Sequence, residues 1–299
     1  MDQQPRVQQE SQSSGVAQPE RASTIVVPLD GSAQAVDALP VAQGLAKLFA
    51  ATIHVVHVSP RRLPSEQMCD TLKLTQEQLS GAILDQPTGS PASAIVHEAK
   101  QWKSQLIVMC PHTAAEKPAG GFGSIAQDIL PKTPCPIILV PPGRGQRPWS
   151  LHRVLLPHDS TPTSAIAISP MADLARRAQA DVTILHVVSA ATAPPEELGT
   201  FPAPRYMDQP HHEWPAWEHE FLDRARAVGK PPPELTLHTV FCTEGIGEAI
   251  VRFASQHETD LIALAWRLNL EPQRALTMRS IIRQAPCPVM IYPVRGMRT

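Results

Sequence analysis

Residues 24–59, TIVVPLDGSAQAVDALPVAQGLAKLFAATIHVVHVS, lie without a gap over residues 153–188, RVLLPHDSTPTSAIAISPMADLARRAQADVTILHVV. Under this superposition Pro28 falls on Pro157, Asp30 on Asp159, Ser32 on Thr161, Leu45 on Leu174, His57 on His186 and Val58 on Val187. Later segments repeat as well, with LIVMC at 106–110 over LIALA at 261–265 and PCPIILV at 134–140 over PCPVMIY at 286–292. Agreement in so many features marks a duplicated unit. The offset is 129 in the first stretch (153 against 24), 155 in the second (261 against 106) and 152 in the third (286 against 134). The second copy therefore carries extra length between His186 and Leu261, much of it Pro-rich, at residues 193–215 and 231–233. Surface loops absorb such length at the least thermodynamic cost.

Each copy reads in the same order. An apolar, β-branched run (residues 24–27; 154–156) leads into a polar turn, then apolar residues at helical spacing, then a second β run (53–58; 182–188). Pro40 and Pro170 fall inside the helical segments and predict a kink or a late helix start, because proline lacks the N–H and clashes with the preceding turn. The closing runs at 137–140 and 289–292 are short and continuously apolar, as strands covered on both faces should be. Strands alternating with helices predict an α/β fold of two tandem doubly wound, mostly parallel five-stranded sheets. Ligands of such sheets bind beyond the strands' carboxyl ends at a switch point, so Asp30 with Cys110, and Asp159 with Ala265, should face one crevice in each copy. The division expected is a disordered tail at 1–22, a first domain at 23–142, a solvated linker at 143–150, and a second domain at 151–299 with an insertion at about 190–233. Two look-alike halves, set against one continuous sheet, are what the repeat calls for.

The 299 residues exceed one typical domain, and 42% hydrophobic content supplies two cores. A net charge of -2 provides no field for nucleic acid or an anionic membrane, and neither partner is expected. No apolar run reaches the roughly 20 residues of a membrane span, and the Gln- and Ser-rich start lacks the core of a signal peptide, so a cytoplasmic location is expected. Cys69, Cys110, Cys135, Cys242 and Cys287 are scattered and odd in number, which suits reduced, buried thiols.

The residues resemble the universal stress protein family over nearly the whole chain after the tail. The resemblance rests on VPLDGS at 27–32, IHVVHV at 53–58, LIVM at 106–109, GSIA at 123–126 and TPCPIILV at 133–140, with APCPVMI at 285–291 in a more diverged second copy. It implies an adenine-nucleotide fold of the α-hydrolase type. Members that bind ATP carry G-x2-G-x9-G-[S/T] after the fourth strand, where glycines let backbone N–H groups approach phosphate. In this register Cys110 and Thr113 replace the first two glycines, Gly123 and Ser124 keep the end of the signature, and Pro111 removes one more donor. Gly120 and Gly121 offer a way of reshaping the loop. The implied adenine-nucleotide set is Pro28, Asp30 for the ribose, Val58 for the adenine through its backbone, Cys110, Thr113, and Gly123 with Ser124 for phosphate. The blander reading of Asp30 is an N-cap or Asx-turn, and that of Gly123-Ser124 a cap on a helix at 125–130. In the second copy Ala265, Leu268, Ala275 and Leu276 stand where the signature would be, so no nucleotide is expected there.

Other signals point to structure. His211, His212, Glu213, Glu218, His219 and Glu220 crowd one stretch, but H-E-x-x-H is absent and Pro215 is expected to break the helix that would align them. Trp214 and Trp217 should fasten the insertion to its domain. Gly245-Ile-Gly247 lacks the third glycine of a dinucleotide loop, and His57 and His186 read as hydrogen-bonded, half-buried strand residues. No nucleophile-base-orienter set stands out, and no catalytic or metal residue is nominated. The leading expectation is a non-catalytic stress-response regulator, an internal pseudo-dimer paired through 137–140 and 289–292, with a further homodimer and weak ATP or related nucleotide binding in the first copy. A nucleotide-independent scaffold for protein partners and a slow ATP hydrolase are the alternatives.

Overall fold

The fold was established from a computed structural model describing residues 23–75, 77–79, 81–111, 123–189, 197–201, 213–227, 235–242, 245–267 and 272–294. The first copy runs β1 (Thr24–Pro28), α1 (Ala38–Phe49), β2 (Thr52–Val56), α2 (Ser65–Leu72), β3 (Ile83–Asp85), α3 (Pro91–Gln101), β4 (Leu106–Met109), α4 (Ser124–Ile129) and β5 (Ile137–Leu139). The second runs β6 (Arg153–Pro157), α5 (Pro162–Ala165), α6 (Ile168–Ala178), β7 (Asp181–Ser189), α7 (Glu213–Ala227), β8 (Leu235–Cys242), α8 (Ile246–Gln256), β9 (Leu261–Arg267), α9 (Pro272–Gln284) and β10 (Val289–Val294).

The strand order is β3-β2-β1-β4-β5-β10-β9-β6-β7-β8. Within each half every pairing is parallel, and the halves meet at one antiparallel joint, Val289 opposite Leu139, Met290 opposite Ile138 and Ile291 opposite Ile137. The closing strands that the resemblance nominates for pairing thus pair with each other. Continuity of the sheet and likeness of its halves, set against each other on sequence, coexist: each five-stranded sheet ends in an apolar edge, and the two edges cover one another. Register is duplicated too, since Thr24 faces Thr52 and Arg153 faces Asp181.

Alternation along the strands sends residues to two apolar layers. One holds Val27, Val55, Ile138, Val154 and Met290 under α1, α2, α6 and α7; the other holds Val26, Val56, Ile137, Leu155 and Ile291 under α3, α4, α8 and α9. Both layers cross the joint, so the halves share a core.

Pro40 and Pro170 each stand third in their helix, and the chain before α1 is a single 3-10 turn at Ala35–Asp37. That is the late start the prolines predict, because the first four helical N–H groups have no partner to lose. Pro215 breaks nothing. It lies in the first turn of α7, where the same reasoning makes proline harmless, and this corrects the expectation of a broken helix.

The solvated linker is also corrected in part. Most of its residues are exposed, but Trp149 is only 6% exposed, and its ring lies against Gly44 of α1 while its indole N–H donates to the Asp260 carbonyl at 3.4 Å. Gly143 N–H donates to the buried Asp37 carboxylate at 2.7 Å, and the Gln146 amide donates to the Val36 carbonyl at 3.0 Å. No described helix is long and apolar enough to cross a membrane.

Candidate functional site

Strand order changes direction between β1 and β4 in the first half and between β6 and β9 in the second, so each half has a switch point, past whose carboxyl ends α/β sheets in general receive ligands. In the first half the chain leaving β1 carries Leu29, Asp30 and Gly31. The Leu29 carbonyl accepts from Nδ1 of His57 at 2.8 Å, tying the turn to the end of β2. Gly31 has φ +85°, and a Cβ there would stand 2.7 Å from the Thr71 carbonyl oxygen, so only glycine lets α2 approach this closely. Asp30 is exposed; its Oδ1 accepts from Ser32 N–H at 2.9 Å, while Ser32 Oγ accepts from Ala35 N–H at 3.1 Å. The Asx-turn reading therefore holds for one carboxylate oxygen. Oδ2 has no hydrogen-bond partner among the described residues.

Across the switch point Cys110 is 8% exposed, and its thiol donates to the Gln34 carbonyl at 2.8 Å. Burial, with the charges of Asp37 and Asp30 behind it, pushes this thiol up to about 12, so it is a hydrogen-bond donor at neutral pH and no nucleophile. The Gly123 N–H donates to the Pro111 carbonyl at 2.7 Å. That donor, which the resemblance assigns to phosphate, is committed to the chain. Gly123 itself, not Ser124, is the N-cap of α4, and Ser124 is the exposed first residue of the helix. The first crevice thus gathers Pro28, Asp30, Val58, Cys110 and Gly123-Ser124 at one end of the sheet; Thr113, Gly120 and Gly121 lie outside the described residues.

In the second half the same turn is built and then filled. The His158 carbonyl accepts from Nδ1 of His186 at 2.9 Å, the counterpart of Leu29 and His57. Asp159 Oδ1 accepts from the Thr161 hydroxyl at 2.6 Å and the Ser164 hydroxyl at 2.7 Å, besides the Thr161 N–H at 3.2 Å. Where Asp30 is exposed and its Oδ1 takes one N–H, Asp159 is half-buried and its Oδ1 takes two hydroxyls and an N–H. The insertion covers the neighbouring histidines: Phe221 meets the His158 ring edge-on at 4.9 Å, and Trp217 lies 5.0 Å from the His186 ring. Both histidines are buried, which pulls His158 down to about 4 and lowers His186, so both are neutral at pH 7. The sequence reading missed this aromatic roof, although Trp217 was singled out as a fastener, and it missed Glu197, which accepts from the Thr163 hydroxyl at 2.7 Å and from Arg267 at 2.7 Å.

The glycine signature has no counterpart here. β9 runs on through Ala265 to Arg267, and Ala275 and Leu276 are helical in α9, while Leu268 lies outside the described residues. Gly247 serves packing, since a Cβ there would stand 2.7 Å from Cβ of Ser280 in α9. Of the His- and Glu-rich stretch, His219 pairs with Asp223, Glu220 with Arg224, and Glu218 accepts from Thr239; His211 and His212 lie outside the described residues, as does the side chain of Glu213. Among the described residues no group of three or more ligating side chains could hold a metal ion.

Comparison with known proteins agrees with this geometry. A search of curated proteins returns no match. Among solved structures, a functionally unknown protein from Pseudomonas aeruginosa PAO1 aligns over 91% of this chain and 92% of its own, with 15% identity and a TM-score of 0.64. A universal stress protein from Archaeoglobus fulgidus DSM 4304 aligns over 91% of this chain and 98% of its own, with 15% identity and a TM-score of 0.58. At that identity the likeness is one of fold. The model of the universal stress protein family matches residues 22–141 and again residues 150–293. With two successive matches laid over two look-alike halves, the chain belongs to the universal stress protein family as a tandem of two such domains.

Proposed function

We propose that this protein is a non-catalytic stress-response regulator in which only the first domain takes an adenine nucleotide, and takes it weakly. The observation that supports this is the contrast between the equivalent aspartates. Asp30 is exposed with one carboxylate oxygen open, whereas Asp159 is half-buried, with one oxygen held by two hydroxyls, next to a His158 ring that Phe221 covers. Weakness follows from the commitments nearby: Cys110 replaces a glycine and bonds to Gln34, and the Gly123 N–H is already satisfied. Phosphate is then met by fewer backbone donors than a glycine-rich loop supplies. The nucleotide's ribose hydroxyls would meet Asp30 and its base the chain at Val58.

Calorimetry with ATP and ADP tests this. One site per chain is expected, with affinity falling about tenfold in Asp30→Ala, the scale of a lost hydrogen bond to a charged group, and unchanged in Asp159→Ala. Absence of binding at millimolar nucleotide would retire the clause and favour the second reading, a scaffold acting on protein partners without nucleotide, to which the Cys110–Gln34 bond also lends weight. Phosphate release above that of Asp30→Ala would instead revive a slow hydrolase.

A further inference from the structure

The insertion does more than lengthen a loop. Its two described pieces, residues 197–201 and α7, converge on the carboxyl ends of β6 and β7, the place where an α/β sheet receives a ligand. Phe201 N–H donates to the Ser160 carbonyl at 2.9 Å, pinning the first piece to the turn after β6. Its ring lies within 8° of parallel to Trp217, with centroids 5.9 Å apart, and the Arg224 guanidinium sits 4.1 Å above the Phe201 ring. From the strand outward the order is His186, Trp217, Phe201, Arg224. A planar base bound by a protein is received in this way, between aromatic faces and a cation. Trp217 is 6% exposed, so the stack fills the space beside His186 and does not merely border it. Glu197 straps the arrangement shut, since it binds Thr163 of α5 on one side and Arg267 of β9 on the other.

We infer that the insertion is a built-in occupant of the second crevice, with Trp217 and Phe201 standing in for a heteroaromatic ligand, so that this domain is held permanently in a filled state. The inference deepens the reading that the second domain takes no nucleotide and rests on it. It adds a class of ligand: a planar ring of indole or purine size fits the site once the chain's own ring is withdrawn, as apolar cavities opened by truncation accept small aromatic molecules.

The test uses the full chain carrying Asp30→Ala, which weakens the first crevice, and every affinity and thermal shift is read against that Asp30→Ala parent, so that failure here stays separate from failure there. Trp217→Ala and Phe201→Ala are each added, and indole and adenosine are titrated by calorimetry and thermal shift. The parent is expected to bind neither in the second domain. Trp217→Ala should lose thermal stability, regain it with one of the two probes, and bind that probe at least tenfold more tightly than the parent. Neither probe stabilising either variant, both shown folded by circular dichroism, overturns the inference. Should Trp217→Ala not fold, amide exchange of the unsubstituted chain decides: protection of α7 matching that of β7 supports a fixed occupant, and α7 exchanging a hundredfold faster than β7 overturns it.

Discussion

His158 stands in the second domain where Leu29 stands in the first, and the exchange of an apolar side chain for a titratable one leaves a pH signature. Its Nδ1 accepts from Ser160 N–H at 2.8 Å, so the neutral ring carries its proton on Nε2, which has no hydrogen-bond partner among the described residues. Burial lowers the folded pKa from 6.5 to about 4. Between those values the unfolded chain binds more protons than the folded one, so stability is full above the unfolded pKa and falls as the solution is acidified through the window. The loss is on the order of 3 kcal/mol at about 1.4 kcal/mol per unit. Denaturant titrations from pH 7 to pH 4 should show this slope, and His158→Leu, which installs the first domain's residue, should reduce it, leaving the share of buried His186. At this scale the sequence was readable where both copies kept one residue for one local job, as with Asp30 and Asp159 or His57 and His186. It was silent on Cys110, whose bond to the Gln34 carbonyl spans 76 positions and depends on how β1 and β4 lie side by side.

Elements were legible where a period of two or of 3.6 residues marked them, and the late starts of α1 and α6 followed from the chemistry of proline alone. The start of α7 was not: its first turn tolerates Pro215, and nothing local says whether a proline opens a helix or ends one. The Gly245-Ile-Gly247 pair illustrates the converse. A motif suggestive of phosphate turns out to be a contact between helices, where the missing side chain lets α8 and α9 approach. Gly247→Ala should cost about 1–3 kcal/mol by overpacking. Nucleotide affinity measured by calorimetry should not change, which separates the packing role from any phosphate role.

For the molecule as a whole, duplication was visible in the repeat and the resemblance named the closing strands as the joint, but its antiparallel register was not legible, because it depends on residues more than a hundred positions apart. The docking of the linker was hidden for the same reason: Trp149 finds Gly44 on one side and Asp260 on the other. Trp149→Ala should cost about 3 kcal/mol or more, the scale of a buried tryptophan truncation. Chemical unfolding followed by circular dichroism should then separate into two transitions where the parent shows one. The antiparallel joint carries a further consequence. Because all strands of one half run against all those of the other, the two crevices open at opposite poles of the molecule. On the proposed function, a nucleotide in the first crevice would sit at one pole, and the opposite pole would hold the end of the sheet where Trp217 lies against His186.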